Sequence, residues 1–170
     1  RDRLWMENIT TLGETVGSLL KVRKETIAVA ESSAGGLISS TLLAVPGASA
    51  FYLGGAVVYT ARAREALFRI KQDEVDGAGL RSATEPYVAL LAERCKTAHA
   101  ADWGIAESGA SGPFGNRYGD PAGHTVIAIS GAYNCTRSMK TGNDNRACNM
   151  SAFTGAALGL LIEILAVSYT

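Results

Sequence analysis

At 170 residues and 47% hydrophobic, the chain is long enough to bury a full core as one domain over residues 1–170. Sixteen basic residues balance sixteen acidic ones, which leaves no electrostatic footprint for nucleic acid or an anionic membrane. No uninterrupted apolar run approaches the roughly 18 residues of a bilayer span, and no secretory leader pattern is visible. The chain opens on Arg1, so the expectation is that the numbering starts inside a longer natural chain.

Leu4, Trp5, Ile9, Leu12, Val16, Leu19 and Leu20 recur every three to five residues, which predicts an amphipathic helix ending near Lys21–Lys24. Thr26 to Ala30 reads as a buried strand, and Leu37 to Val45 as a short helix stopped by Pro46-Gly47. Ala56 to Tyr59 is the second expected strand, followed by a helix over Ala61 to Ile70 with Arg62, Arg64 and Arg69 at polar positions. Asp76 to Gly79 reads as a loop, and Thr84-Glu85-Pro86 opens a helix running to about Ala100. Trp103 to Glu107 is a third strand. Ser108 to Gly123 then holds five glycines and two prolines, a long loop of the kind that usually serves function. Thr125 to Ser130 and Thr136 to Lys140 are the last strands, and Arg146 to Val167 is a helix with Met150, Phe153, Ala157, Leu160, Leu161 and Ile164 facing inward. The sum is an α/β fold with helices on both faces of one sheet. Trp5 and Trp103 are expected in the core.

Cys95, Cys135 and Cys148 are odd in number and lack metal-ligand spacing, so reduced thiols in a cytoplasmic protein are expected. His99 and His124 stand apart from other ligand-type residues, which argues against a zinc site or a histidine-based triad. The informative junction is Ala30-Glu31-Ser32-Ser33-Ala34-Gly35-Gly36, directly after the first strand. Such a turn can aim hydroxyls and backbone N–H groups at a ligand beyond the strand's end. Equally, Ser32 and Ser33 can simply cap the helix. Arg62, Arg64, Arg69 and Lys71 read either as a phosphate-binding edge or as a solvated helix face. Arg117, among Asn116, Tyr118 and Asp120 in the glycine loop, is a candidate phosphate or ribose contact.

Taken in order, these segments resemble a known family. Glu31-Ser32-Ser33-Ala34-Gly35-Gly36 is similar to a Glu-Ser-x-Thr-Gly-Gly motif, and Val45-Pro46-Gly47-Ala48-Ser49 to a Val/Ile-Pro-Gly-Ser-Ser segment. Gly55 to Tyr59 resembles the strand ending in Tyr-Ser-Asn-x-x-Lys. Ser108-Gly109-Ala110-Ser111-Gly112-Pro113 resembles Thr-Gly-Ile-Ala-Gly-Pro, and Gly123-His124-Thr125-Val126 a Val-Gly-Thr-Val strand entry. The family is the CinA C-terminal domain, whose characterised members include nicotinamide mononucleotide deamidases. The resemblance implies a three-layer α/β/α sandwich, a homo-oligomer, a pyridine nucleotide as small-molecule partner, and amide hydrolysis without metal or other cofactor. It places Ser32, Tyr59 and Arg64 at catalytic positions. Gly35, Gly36, Ser108, Gly109, Gly112, Gly115, Arg117 and Arg146 fall at substrate-binding ones, with Arg146 matching an arginine near the start of the last helix.

Three departures bear on chemistry. Arg64 stands where the motif has lysine, Ala34 where it has threonine, and Ala61 where it has asparagine. A desolvated lysine can shed a proton and act as base, whereas a guanidinium stays charged. Two readings follow. In one the chain is an amidohydrolase in which Ser32 attacks or positions water, Tyr59 passes protons, and N–H groups near Gly35 and Gly36 hold the oxyanion. In the other it is a nucleotide-binding or regulatory domain in which glycine N–H groups, Arg64 and Arg117 hold phosphate.

Overall fold

The computed structural model describes residues 2–167, with side chains from residue 8 onward. Leu4 and Trp5, expected on the inner face of the first helix, therefore lie outside the described side chains. Among the described residues, six helices accompany five strands in the order α1 (Asp2–Arg23), β1 (Ile27–Glu31), α2 (Leu37–Leu43), β2 (Tyr52–Val57), α3 (Ala61–Phe68), α4 (Gln72–Gly77), α5 (Glu85–His99), β3 (Trp103–Ala110), β4 (His124–Ser130), β5 (Cys135–Lys140) and α6 (Arg146–Val167). A 3-10 turn, Ala48–Ala50, precedes β2.

The sheet runs β2-β1-β3-β4-β5, parallel across β2, β1 and β3 and antiparallel across β3, β4 and β5. Period-two alternation sends Ile27, Val29, Ile105, Ile127 and Ile129 to one face, where they meet α1, α2 and α6 through Val16, Leu20, Ile38, Leu42, Phe153 and Leu161. Ala28, Ala30, Ala106, Val126 and Ala128 point the other way, onto Val88, Leu91, Ala92 and Cys95 of α5 and onto Phe68 and Val75. Large residues on one face and alanines on the other let α5 lie close to the strands. The result is the expected three-layer α/β/α sandwich. Trp103 is buried, and its indole N–H donates to the Glu25 carboxylate.

Four expectations require correction. β2 begins at Tyr52, so Gly54-Gly55 lie inside a strand. A Cβ on Gly55 would stand 2.6 Å from the Val29 carbonyl and 2.8 Å from the Tyr52 hydroxyl, so glycine is what lets this strand pair so closely. β3 continues to Ala110, because Ser108, Gly109 and Ala110 pair with Val126, Thr125 and His124. The connecting loop is correspondingly shorter. Asp76–Gly79 is not simply loop: Gln72–Gly77 forms α4, with Asp73 and Glu74 in its first turn and Val75 buried beneath it. Finally, α6 is long and apolar enough by length and composition to cross a bilayer, although no uninterrupted apolar run suggests it. Here it packs on α1 and the sheet, burying Phe153, Ala157, Leu158, Leu160, Leu161 and Leu165.

Candidate functional site

Two carboxylates shape the turn after β1. Glu31, which ends β1, and Glu107, inside β3, are register partners, and both are fully buried. Glu31 accepts from the N–H groups of Gly36 (2.8 Å), Ile38 (3.0 Å) and Ser39 (2.9 Å). It thereby satisfies the opening turn of α2, whose N-cap residue, Gly36, makes no side-chain cap bond. Ser32 and Ser33 are not the caps. Glu107 accepts from the N–H groups of Ser32 (3.1 Å) and Ala34 (2.9 Å), from the Thr125 hydroxyl (2.8 Å) and from the Ser33 hydroxyl. Burial pushes this carboxyl above its ordinary range, against the opposing pull of those four donors. Gly35 N–H goes to the Ser32 carbonyl at 3.0 Å. The N–H groups of Gly35 and Gly36 are thus spent inside the turn, and neither faces a ligand.

Beyond this turn lies a cavity of about 540 Å³. Ser32, Tyr59, Arg64, Ser108, Gly109 and Arg117 all line it, so residues from four separate segments of the chain meet in one place. Gly35, Gly36, Gly112, Gly115 and Arg146 stand outside its wall. Arg146 is nevertheless tied to it, donating to the Gly112 carbonyl (2.6 Å) and to the Tyr59 hydroxyl (3.1 Å). Tyr59 is 62% exposed at the rim, whereas Ser108 is buried and accepts from Ala83 N–H at 3.2 Å.

Arg64 is not on a solvated face. It is 3% exposed. Its Nε donates to the Ile70 carbonyl (3.3 Å), Nη2 to Gln72 Oε1 (2.7 Å), and Nη1 makes a long 3.5 Å contact with the Tyr87 hydroxyl. Its guanidinium carbon also lies 5.7 Å from the centre of the Tyr87 ring. Gln72 in turn donates to Asp76 at 2.8 Å. Also in the lining, the guanidinium carbons of Arg81 and Arg117 lie 5.0 and 4.9 Å from the centre of the Tyr118 ring. Arg81 pairs with Asp120 at 2.9 Å, and that hydrogen bond holds the Asp120 carboxyl below its usual range. The Asn116 side chain winds this loop by accepting from Tyr118 N–H and Asp120 N–H at 3.0 and 3.1 Å.

Sequence reasoning misses Glu107, Gln72, Arg81 and Tyr87. An acid directly after the apolar run Trp103–Ala106 is a readable signal for Glu107. The other three reach the cavity only through tertiary packing.

A profile of the CinA C-terminal domain matches residues 9–165. The chain belongs to the CinA C-terminal domain family. A CinA-like protein of Prochlorococcus marinus (strain MIT 9313) is 38% identical over 128 residues, covering 75% of this chain and 29% of that protein. One from Desulforapulum autotrophicum is 33% identical over 152 residues, or 89% of this chain and 36% of the relative. The chain therefore spans about a third of the length of these curated relatives. Among solved structures, a CinA superfamily protein from Klebsiella pneumoniae 700603 superposes with a TM-score of 0.86 at 26% identity, covering 93% of this chain and 98% of that one. A CinA superfamily protein from Escherichia coli gives 0.83 at 26% identity, with 92% and 90% covered. The chain thus covers nearly all of these two solved chains, and its cavity lies beyond the end of β1 and beside Ser108 and Gly109 of β3.

Proposed function

We propose that this CinA-type domain binds a pyridine mononucleotide in the cavity and does not hydrolyse it. The observation that carries the reading is the environment of Arg64. The cavity's deepest cation is a guanidinium held by three neutral oxygens, and a guanidinium cannot accept a proton at neutral pH. The wall holds no lysine or histidine to do so instead, and its one carboxylate, Asp76, already accepts from the Gln72 amide. Arg81, Arg117 and the Tyr118 ring suit a phosphate and a flat base. The family resemblance supports the nucleotide class and a homo-oligomeric state.

A second reading, hydrolysis of nicotinamide mononucleotide with release of ammonia, is favoured by one feature. Ser32 and Tyr59 share the cavity, and Tyr59 accepts from Arg146, so its own O–H is free to serve a reacting group. Measuring ammonia from nicotinamide mononucleotide, alongside a thermal-shift series with mononucleotides, separates the two. Binding is expected to raise the melting temperature with no ammonia above a Ser32→Ala control. Ammonia well above that control would establish the hydrolytic reading in its place.

A further inference from the structure

Arg64 carries a charge that the fold buries without pairing. Arg81, Arg94 and Arg137 each answer a carboxylate, whereas no carboxylate forms an ion pair with Arg64 among the described residues. Its partners are a backbone carbonyl, a phenol and an amide oxygen, all neutral. A cation that is 3% exposed and makes no direct ion pair, reaching a carboxylate only through Gln72, is costly to fold around. Of its five N–H groups, the three bonds use one each on Nε, Nη1 and Nη2. One N–H on each terminal nitrogen is left, on a side chain that lines a cavity.

We propose that the cavity takes a mononucleotide whose base bears a carboxylate, and that Arg64 grips that carboxylate. The proposal rests on the mononucleotide reading above and names its ligand more narrowly. Two unspent N–H groups on the two terminal nitrogens match the two oxygens of one carboxylate. The electrostatics agree. Asp76 is the one acid in the wall, already engaged by the Gln72 amide, and Arg81 is answered by Asp120, which leaves Arg64 and Arg117 as the cations without a carboxylate partner among the described residues. The cations are also divided by depth. Arg117 is exposed beside Tyr118, where a strongly hydrated phosphate can stay partly in water, while buried Arg64 faces the small planar anion. A carboxamide at the same place would turn an NH2 donor toward a group that has only donors to offer.

The test is calorimetric titration of the purified chain with nicotinate mononucleotide, nicotinamide mononucleotide and ribose 5-phosphate. The acid is expected to bind about tenfold more tightly than the amide, or better. Arg64→Gln is expected to bring the acid down to the amide's affinity. Equal or tighter binding of the amide by the unaltered chain would overturn the carboxylate assignment and leave the mononucleotide reading standing. Ribose 5-phosphate binding as tightly as the acid would also overturn it, since the affinity would then lie in the phosphate alone. Absence of binding by all three would remove both readings. The comparison of acid with amide uses the unaltered chain, so it holds whether or not Arg64→Gln folds.

Discussion

Glu107 decides whether the Ser32 turn keeps its shape, and its two oxygens do different work. Oε2 accepts two backbone N–H groups, of Ser32 and Ala34, whose directions are fixed by the chain. Oε1 accepts two hydroxyls, of Ser33 and Thr125, and a hydroxyl can rotate to become an acceptor. A neutral group with a carbonyl oxygen on one side and a donor on the other therefore fits this site as well as a carboxylate does. Glu107→Gln is expected to hold stability within about 1 kcal/mol of the parent. Glu107→Ala strands both N–H groups and opens a void, and is expected to cost about 2–4 kcal/mol. Denaturant melts of the two variants test the argument; a Gln variant as unstable as the Ala variant would show that the negative charge itself is required.

Between elements, glycines mark where helices touch. On α1, a Cβ at Gly13 would stand 2.8 Å from Thr41 Cγ2 and 3.0 Å from the Thr41 carbonyl, so α1 and α2 cross with no room for a side chain. On α6, a Cβ at Gly159 would meet nothing within 4 Å. Gly13→Val is thus expected to destabilise by about 1–3 kcal/mol, and Gly159→Ala to stabilise by roughly 0.5–1 kcal/mol through helix propensity alone. Thermal melts giving both the same sign would contradict this packing. The same contrast explains what is legible in the sequence. α1 and α6 announce themselves by period, and β1, β3 and β4 by short apolar runs, because burial imposes those patterns directly. α4, Gln72–Gly77, offers one apolar residue and no period. Ser32, Tyr59 and Ser108 can be placed in advance because each follows or ends an apolar run near the C-terminal end of a neighbouring strand. The burial of Arg64 cannot, since its position on α3 reads as polar surface and its side-chain partners, Gln72 and Tyr87, sit on α4 and α5. Nor does the sequence reveal that Glu31 and Glu107 take the N–H groups of Ser32, Ala34 and Gly36, which requires knowing that β1 and β3 pair in register.

For the molecule as a whole, opposed carboxyls set the response to pH. Burial raises Glu107, with hydrogen bonds from Ser33, Ala34, Thr125 and Ser32 acting against it, so the folded state binds that proton more tightly than the unfolded chain. Its contribution to stability is full below the usual glutamate value of about 4.3 and is lost as pH rises through the raised folded-state value. Asp120 and Glu163 behave in reverse. Hydrogen bonds from Arg81 and Arg137 lower them, so their contributions are present above the usual carboxylate range and vanish as pH falls through the lowered folded-state values. Glu163 sits in an exposed pair with Arg137, so solvent and salt screen what it adds. Denaturant melts between about pH 8 and pH 3 are therefore expected to show stability rising on mild acidification, then falling below about pH 4. Added salt should flatten the acid-side fall and leave the rise intact, because Glu107 is sealed from solvent. Glu107→Gln, neutral throughout, should abolish the rise and keep the fall. A rise that survives this substitution would assign the proton uptake to another group and remove Glu107 from the account.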